Sequence, residues 1–451
     1  MRTRGGSTTV EATVVVCAVA CAGIAGFALC GGAFARDIGG STQTARAPAA
    51  NVSAQAGVAE VVHAIHTADV AMREARPELV AAKYAKMSTD PFLFYRGAMA
   101  GFAHDWVEAA AGASDFAHDA LVLSSGDAHP SNFGFLRGTD GVFRLEPNDL
   151  DTVGLYPYHW DLRRLTVGAE LSLRERVSPS TAESTLKRML SAYVSAFDGG
   201  DAAISTARSR GTRPLEAGNR VPTKYLTKEG KLLRGTVRTH VTESLSPEAR
   251  AEVESFFAAY RGRFPDASQP GAVVDAVSLD GKGVSSLPVR RALILTERGA
   301  KGAPRIFEIK EATVRPTMNM FGAVGDHGEF ATNLEARIQD AFLHPASGDD
   351  WRTVTDANGQ GQLIRELHSG QTSIDLERAK PGSRAALERA ATLLGSTLGQ
   401  MHRRSKELAA HLAEIAKAPD AFVNEELRFA REYAAETLDA FAHFREKLPT
   451  P

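Results

Sequence analysis

The chain has 451 residues, 43% of them hydrophobic and 24% charged, enough to bury a sizeable core in one large domain or two ordinary ones. A net charge of −2 excludes a polycationic grip on nucleic acid, so no nucleic-acid partner is expected. All three cysteines, Cys17, Cys21 and Cys30, lie near the N-terminus, which leaves the body without disulfide or thiol chemistry.

The first element is an export segment. Arg2 and Arg4 precede an uncharged stretch, Ala12 to Ala35, that ends in the cleavage-like Ala33-Phe-Ala35. The stretch is also long enough to cross a bilayer, so residues 1–35 are either a signal peptide or an uncleaved membrane anchor. Both topologies export the body, to the periplasm or the medium. Residues 36–57, rich in Gly, Ala, Ser and Thr, are a flexible linker.

Val58 to Lys86 has helical periodicity, with Val61, Ile65, Val70 and Met72 on broad apolar stripes. An apolar run, Leu121-Val-Leu, leads into the loop Gly126-Asp-Ala-His-Pro-Ser-Asn132. Phe133-Gly-Phe-Leu and Val142-Phe-Arg-Leu read as two short strands joined by Gly138-Thr-Asp-Gly141, and Asn148-Asp-Leu-Asp151 follows. Leu162–Leu173 and Ser180–Phe197 are predicted helices, the second opened by a capping box, Ser180-Thr-Ala-Glu183. Residues 201–245 form an irregular, basic connector before a helix over Pro247–Tyr260. Strands are predicted over Leu287–Leu295 and Arg305–Ile309, flanking the turn Arg298-Gly-Ala-Lys-Gly302. Helices over Thr332–Phe342, Arg384–His402 and Asn424–Lys447 complete the chain.

Helices at both ends and hairpin-paired strands between them define an α+β class, helix-rich with small antiparallel hairpins rather than a doubly wound sheet. The expected divisions are 58–270, carrying the polar loop; 271–380, a strand lobe; and 381–451, helices that pack back on the first.

The polar residues of 126–151 fall where phosphoryl transfer needs them. The protein's task in that reaction is to position a nucleophile and neutralise charge. Asp127 suits acceptance of a proton from an attacking hydroxyl. Asn132 and Asp149, with Asp151 as an alternative, supply the hard oxygen ligands that Mg²⁺ prefers. Asp140, by contrast, is explained by the turn it sits in.

Gly126-Asp-Ala-His-Pro-Ser-Asn132 resembles the Gly-Asp-x-His-x-x-Asn loop of aminoglycoside and choline phosphotransferases, and Asp161-Leu-Arg-Arg resembles the Asp-Leu that follows their metal-binding Asp. A closer resemblance is to an uncharacterised bacterial family, the domain of unknown function numbered 2252. It rests on Pro91-Phe-Leu-Phe-Tyr-Arg96-Gly97, the loop above, Asn148-Asp-Leu-Asp151, Trp160-Asp-Leu-Arg-Arg-Leu165, Glu308-Ile-Lys310-Glu311-Ala312 and Leu398-Gly-Gln-Met-His402. The phosphotransferase likeness implies a kinase-like bilobed fold, ATP or another nucleotide with Mg²⁺ as cofactors, and a small-molecule or protein acceptor. His129 and Asp161 would brace the loop. Ser125 departs from the pattern, standing where those enzymes carry His.

The nucleotide-binding elements follow the catalytic loop instead of preceding it, which implies a circular permutation. Asp280-Gly-Lys-Gly-Val-Ser-Ser286 offers a glycine turn, Gly281 and Gly283, for phosphate. Lys310 ends a strand as a phosphate-pairing lysine would, with Glu335 as its ion-pair partner. Arg96 is either a phosphate clamp or a structural partner of Asp161 or Asp105. Two other classes compete. A nucleotide-binding pseudo-kinase keeps the cleft and loses turnover. A metal-dependent hydrolase would draw His104-Asp105 and His118-Asp119 to His129, Asp127 and Asp149.

Overall fold

A computed structural model describes residues 52–108, 113–116, 120–198, 221–237, 240–297, 304–312, 327–356, 360–378 and 383–448. Residues 1–35, expected as a signal or anchor, most of the expected linker, the His118-Asp119 pair, residues 199–220 of the expected connector and the expected 298–302 turn lie outside them. Residues from Val52 onward form one compact unit. No helix of the described residues is long and apolar enough to cross a membrane.

Five helices come first: α1 (Val52–Ala68), α2 (Val70–Ala75), α3 (Pro77–Met87), α4 (Pro91–Gly97) and α5 (Met99–Glu108). The helix predicted over 58–86 is therefore broken twice. Pro77 lacks the N–H that would continue a helix and instead starts one. Asp69 ends another, and its carboxylate is held by the buried Lys83 at 2.6 Å.

Strands β1 (Leu121–Ser124), β2 (Phe133–Arg137), β3 (Phe143–Pro147) and β4 (Gly154–Pro157) follow. β1 pairs with β4, and β2–β3 is the predicted hairpin, antiparallel and in register from Phe133/Pro147 to Arg137/Phe143. α6 (Tyr158–Leu173) is central: 15 of its 16 residues are buried, so every face of it meets protein. α7 (Pro179–Ser195) is capped two residues before the expected cap, Ser180. The Ser178 hydroxyl, rather than Ser180, accepts from the Thr181 N–H, because Pro179 is suited to the first helical position.

β5 (Gly235–Val237), β6 (His240–Thr242) and α8 (Pro247–Arg261) lead to β7 (Val273–Ser278), β8 (Arg291–Thr296) and β9 (Ile306–Ala312). Then come α9 (His327–Ala341), α10 (Pro345–Gly348), β10 (Arg352–Thr355), β11 (Gly361–Leu367), β12 (Thr372–Ser373), α11 (Arg384–His402), α12 (Ala409–Lys417) and α13 (Pro419–Lys447). Strands 10, 11, 9, 8 and 7 form one antiparallel five-stranded sheet in that order, larger than the isolated hairpins expected. β12 adds an edge to β2–β3. α11 lies along α7, and α13 crosses α6 and α7.

The five-stranded sheet has two unlike faces, as period-2 alternation allows. Phe307 and Ile309 of β9 join Ile294, Val354 and Ile364 in an apolar cluster under Phe257 and Tyr260 of α8. Glu308 and Lys310, on the other face of β9, are buried among polar groups. That polar face turns toward the β2–β3 hairpin and builds the site.

Candidate active site

The loop after β1 is held from below by α6. Asp161 accepts from the Ser125 N–H at 2.7 Å, the Ser125 hydroxyl at 2.9 Å and the Gly126 N–H at 3.1 Å. Trp160 Nε1 donates to the Gly126 carbonyl at 2.8 Å, and the Thr152 hydroxyl donates to the Ser125 carbonyl at 2.8 Å. Gly126 adopts φ +79, and a Cβ there would lie 2.3 Å from the Thr152 carbonyl oxygen. Only glycine fits. Burial pushes the Asp161 carboxyl up to about 6, against the pull of its Ser125 hydrogen bonds.

Asp127 is thereby aimed into a cleft. One of its oxygens accepts from Arg164 Nη2 at 2.6 Å, and burial raises its affinity for a proton against that cation. Arg164 itself stacks over Tyr95 and Phe102, with its guanidinium carbon 4.5 and 5.1 Å from the ring centres. Asp161 and Arg164 are three residues apart on α6 and therefore share a face. Asn132 spends its amide N–H on the Asp127 carbonyl at 2.9 Å, which leaves its side-chain oxygen as the end able to hold a cation.

Lys310, on β9, stands behind the cleft and reaches two of the carboxylates that line it. Its ammonium sits 2.9 Å from Asp149 Oδ1 and 2.6 Å from Asp151 Oδ2. Burial opposes ionisation of Asp149, but the Lys310 and Arg291 charges win and hold its carboxyl well below the usual range. Arg96 and His129 also line the cleft, and Gly283, Val284, Ser285 and Ser286 form its far wall. The cleft encloses a cavity of about 20 Å³.

Gly281 and Gly283 adopt φ +76 and +84, and their carbonyls accept from Lys86 at 3.1 and 2.8 Å. The turn is thus anchored to α3. Arg96 pairs with neither Asp161 nor Asp105. Its Nε donates to His129 Nε2 at 3.1 Å, so the two residues hold each other at the cleft wall. His129 makes no hydrogen bond through Nδ1. Burial, then the Arg96 and Arg164 charges, keep the ring neutral, well below its ordinary range.

Glu335 requires a correction. Both its oxygens accept from Arg263 at 2.7 Å, and one also accepts from the Thr353 N–H at 2.7 Å. It lines a separate, more open cavity of about 450 Å³ between α8, α9 and β10. Helix α9 lies over β10, not over the polar face of β9, so Glu335 cannot be the partner of Lys310. The carboxylate that organises the basic rim is Glu308, 1% exposed. It binds Lys282 at 2.6 Å, Arg291 at 2.8 Å and Arg365 at 2.9 Å. Arg365 stands directly opposite it on β11 and also donates to the Asn148 carbonyl at 2.9 Å, tying the sheet to the loop of Asp149. Three cations hold Glu308 ionised against its burial.

Sequence reasoning missed Glu308, Lys282, Arg291, Arg365 and Arg164. Two had a signal: Glu308 is two residues from Lys310 on one strand face, and Arg164 one helical step from Asp161. Of the residues suggested for a hydrolase, His104 contacts Asp105 at 3.3 Å, and Asp105 accepts from Tyr433 at 2.6 Å. Neither lines the cleft.

The fold and site define a mixed α+β protein in which an acidic hairpin rim is joined to a cation-bearing sheet by Lys310 and Arg365. The chain belongs to a bacterial family described as "Uncharacterized protein conserved in bacteria (DUF2252)", whose model matches residues 75–211 and 217–447. No curated protein and no solved structure matches it.

Proposed function

We propose that this protein is an exported, magnesium-dependent phosphotransferase that takes ATP or another nucleotide and passes a phosphoryl group to a small-molecule or protein hydroxyl. The observation that carries the proposal is the contact of Lys310 with both Asp149 and Asp151, on a cleft that Asp127 and Asn132 also line. In kinase-like sites, a lysine and a metal-binding carboxylate address the same polyphosphate. We extend the proposal to architecture: a bilobed, kinase-like arrangement, circularly permuted because the lysine strand follows the loop of Asp127.

The donor set fits magnesium. Two carboxylates converge on one point already occupied by a positive charge, and the Asn132 oxygen is a third hard donor. Bound there, magnesium would neutralise charge on the transferred phosphoryl group. Lys310 would exchange its carboxylates for phosphate oxygens, and Arg96 would clamp a second phosphate with its planar fork. Backbone N–H groups of the 281–286 turn would face the same phosphates. The Asp127 oxygen not held by Arg164 would take the proton of the acceptor hydroxyl.

A second reading, a pseudo-kinase that binds nucleotide without turnover, draws on two observations. The Arg164–Asp127 ion pair offsets part of the proton affinity that burial gives Asp127, and Ser125 stands where the resembling phosphotransferase loops carry histidine.

The test is a thermal-shift screen of the mature protein with ATP, ADP and GTP, each with and without Mg²⁺ or Mn²⁺, followed by an assay for ADP release. A magnesium-dependent rise with one nucleotide is expected, since a ligand that binds only the native state raises apparent stability. No rise with any nucleotide would overturn the proposal. A rise without ADP release against a panel of hydroxyl acceptors would select the pseudo-kinase.

A further inference from the structure

Behind the sheet, on the side away from the cleft, three ionisable side chains meet: Asp350 before β10, Glu366 on β11 and His368 just beyond it. All three are more than nine-tenths buried, at 4%, 4% and 8% exposure. One donor atom from each lies within 4.8 Å of the other two. Glu366 and His368 share a strand face because they are two residues apart. Arg365, between them, points the other way, to Glu308.

The contacts inside the trio are poor hydrogen bonds. His368 Nε2 stands 3.4 Å from Asp350 Oδ2, and Nδ1 stands 3.4 Å from Glu366 Oε1. Charge-assisted N–H···O⁻ bonds are shorter, about 2.7–2.9 Å. His368 Nδ1 and Asp350 Oδ2 accordingly have no hydrogen-bond partner. A separation near 3.4 Å has a different meaning when donors share an ion. With metal–donor bonds of about 2.0–2.2 Å in a tetrahedron, neighbouring donors stand about 3.4 Å apart. The two carboxylates face opposite ring nitrogens, so one of these separations is such an edge and the remaining carboxylate lies within 4.8 Å of the donor nitrogen.

The outer contacts also suit a cation. Arg305 Nε donates to the other Glu366 oxygen at 2.7 Å, and Tyr260 donates to the Asp350 carbonyl at 2.8 Å. Metal-ligating carboxylates are themselves commonly hydrogen-bonded as Glu366 is, while Tyr260 fixes the main chain at Asp350; an imidazole that binds an ion through one nitrogen uses the other for a second-sphere contact.

We infer that Asp350, Glu366 and His368 form a second cation site for a first-row divalent ion of the zinc or manganese kind. One imidazole nitrogen and two carboxylate oxygens bind it, and water completes the coordination. Its work is structural: it joins the entry of β10 to the exit of β11 and so fixes the strand that carries Arg365. The inference stands apart from the nucleotide proposal, because none of its residues lines the cleft.

The experiment uses the full chain, stripped with a chelator and dialysed, then titrated with MnCl₂ or ZnCl₂ alone, without nucleotide. The expected result is one tight equivalent per chain, with nitrogen modulation from imidazole in the pulsed electron paramagnetic resonance spectrum of the Mn²⁺ form. That equivalent should persist in Asp149→Asn, which alters the cleft, and disappear in His368→Gln. If His368→Gln does not fold, Asp350→Asn replaces it, with affinity expected to fall at least tenfold while the nitrogen signal remains. The inference is overturned if the wild-type chain takes up no ion, if the nitrogen signal survives His368→Gln, or if Asp149→Asn alone removes the bound equivalent. Each of those results would assign the trio to an imidazolium bridging two carboxylates.

Discussion

The two rims of the cleft are built in opposite ways. The acidic rim comes from one short stretch, residues 124–161: a strand, a glycine turn, a hairpin and the first turn of α6, cross-linked by hydrogen bonds to Asp161 and Thr152. The basic rim draws Lys282, Arg291, Glu308, Lys310 and Arg365 from three strands and a turn. Glu308, directly neutralised by three of them, is its hub, and Arg291 and Arg365 are also held by Ser286 and the Asn148 carbonyl. The acidic rim is therefore made rigid by backbone bonds, and the basic rim by charge balance. A ligand has less to move on the basic side, and Lys310, held only by the carboxylates it would share with a cation, is the group best placed to exchange partners.

The basic rim is most vulnerable at Glu308. Glu308→Gln leaves three cations facing one another in a buried site, and removing one partner of such a network costs about 3–5 kcal/mol. Equilibrium urea unfolding should show a loss of that order. A loss below about 1 kcal/mol would show that the cations are solvated independently and that the basic rim does not depend on charge balance.

On the acidic rim the corresponding break is Gly126→Ala. The positive φ and the Thr152 carbonyl 2.3 Å from a new Cβ should cost about 1–3 kcal/mol in backbone strain, and nucleotide affinity should fall as Asp127 is displaced. Unaltered unfolding would mean that the loop tolerates a shift and is not rigid.

His402 sharpens the comparison through pH. It lies fully buried behind the acidic rim, 3.3 Å from the Ser124 hydroxyl and 3.0 Å from that of Tyr193. Burial pushes it down to about 3. The unfolded chain takes up a proton below about pH 6.5 and the native ring does not. Its contribution to stability is thus complete above 6.5 and lost as pH falls toward 3, by about 1.4 kcal/mol per pH unit. Unfolding free energies measured from pH 6 to pH 4 should fall more steeply in the wild type than in His402→Gln, by the slope of one proton. Parallel slopes would mean that water reaches the ring.

The smallest stability effect should come from Asp149→Asn, below about 1 kcal/mol, because Asp149 is half-open to solvent and Lys310 keeps its 2.6 Å contact with Asp151. Magnesium-dependent nucleotide stabilisation should nevertheless vanish in that variant. If it persists, Asp151 is the metal ligand.

What the sequence made legible follows the same division. The β2–β3 hairpin, the loop of Asp127 and the helix Arg384–His402 could be read because turn residues, alternation and periodicity are local signals. Lys310 could be singled out because it follows the alternating run Arg305–Ile309, although the strand continues to Ala312. Glu335 was misplaced because a helix and a charge do not say which face of the sheet the helix covers; that depends on how α9 packs on β10. Glu308 went unread because a carboxylate in an alternating strand looks solvated until the register sets Arg365 opposite it. β10 and β11 were missed altogether, although their pairing fixes one edge of the larger sheet. The break at Pro77 was readable from the sequence, whereas the one at Asp69 depends on a buried lysine fourteen residues away.

The most direct test is calorimetric titration of ATP into the mature wild-type chain, in magnesium and in chelator, alongside Lys310→Met and Asp149→Asn. One site per chain is predicted, dependent on magnesium, with affinity reduced at least tenfold in each variant, since both rims must address the same polyphosphate. Magnesium-dependent binding that survives both substitutions, or no binding by the wild-type chain, would contradict the account of a single cleft shared by Lys310 and Asp149.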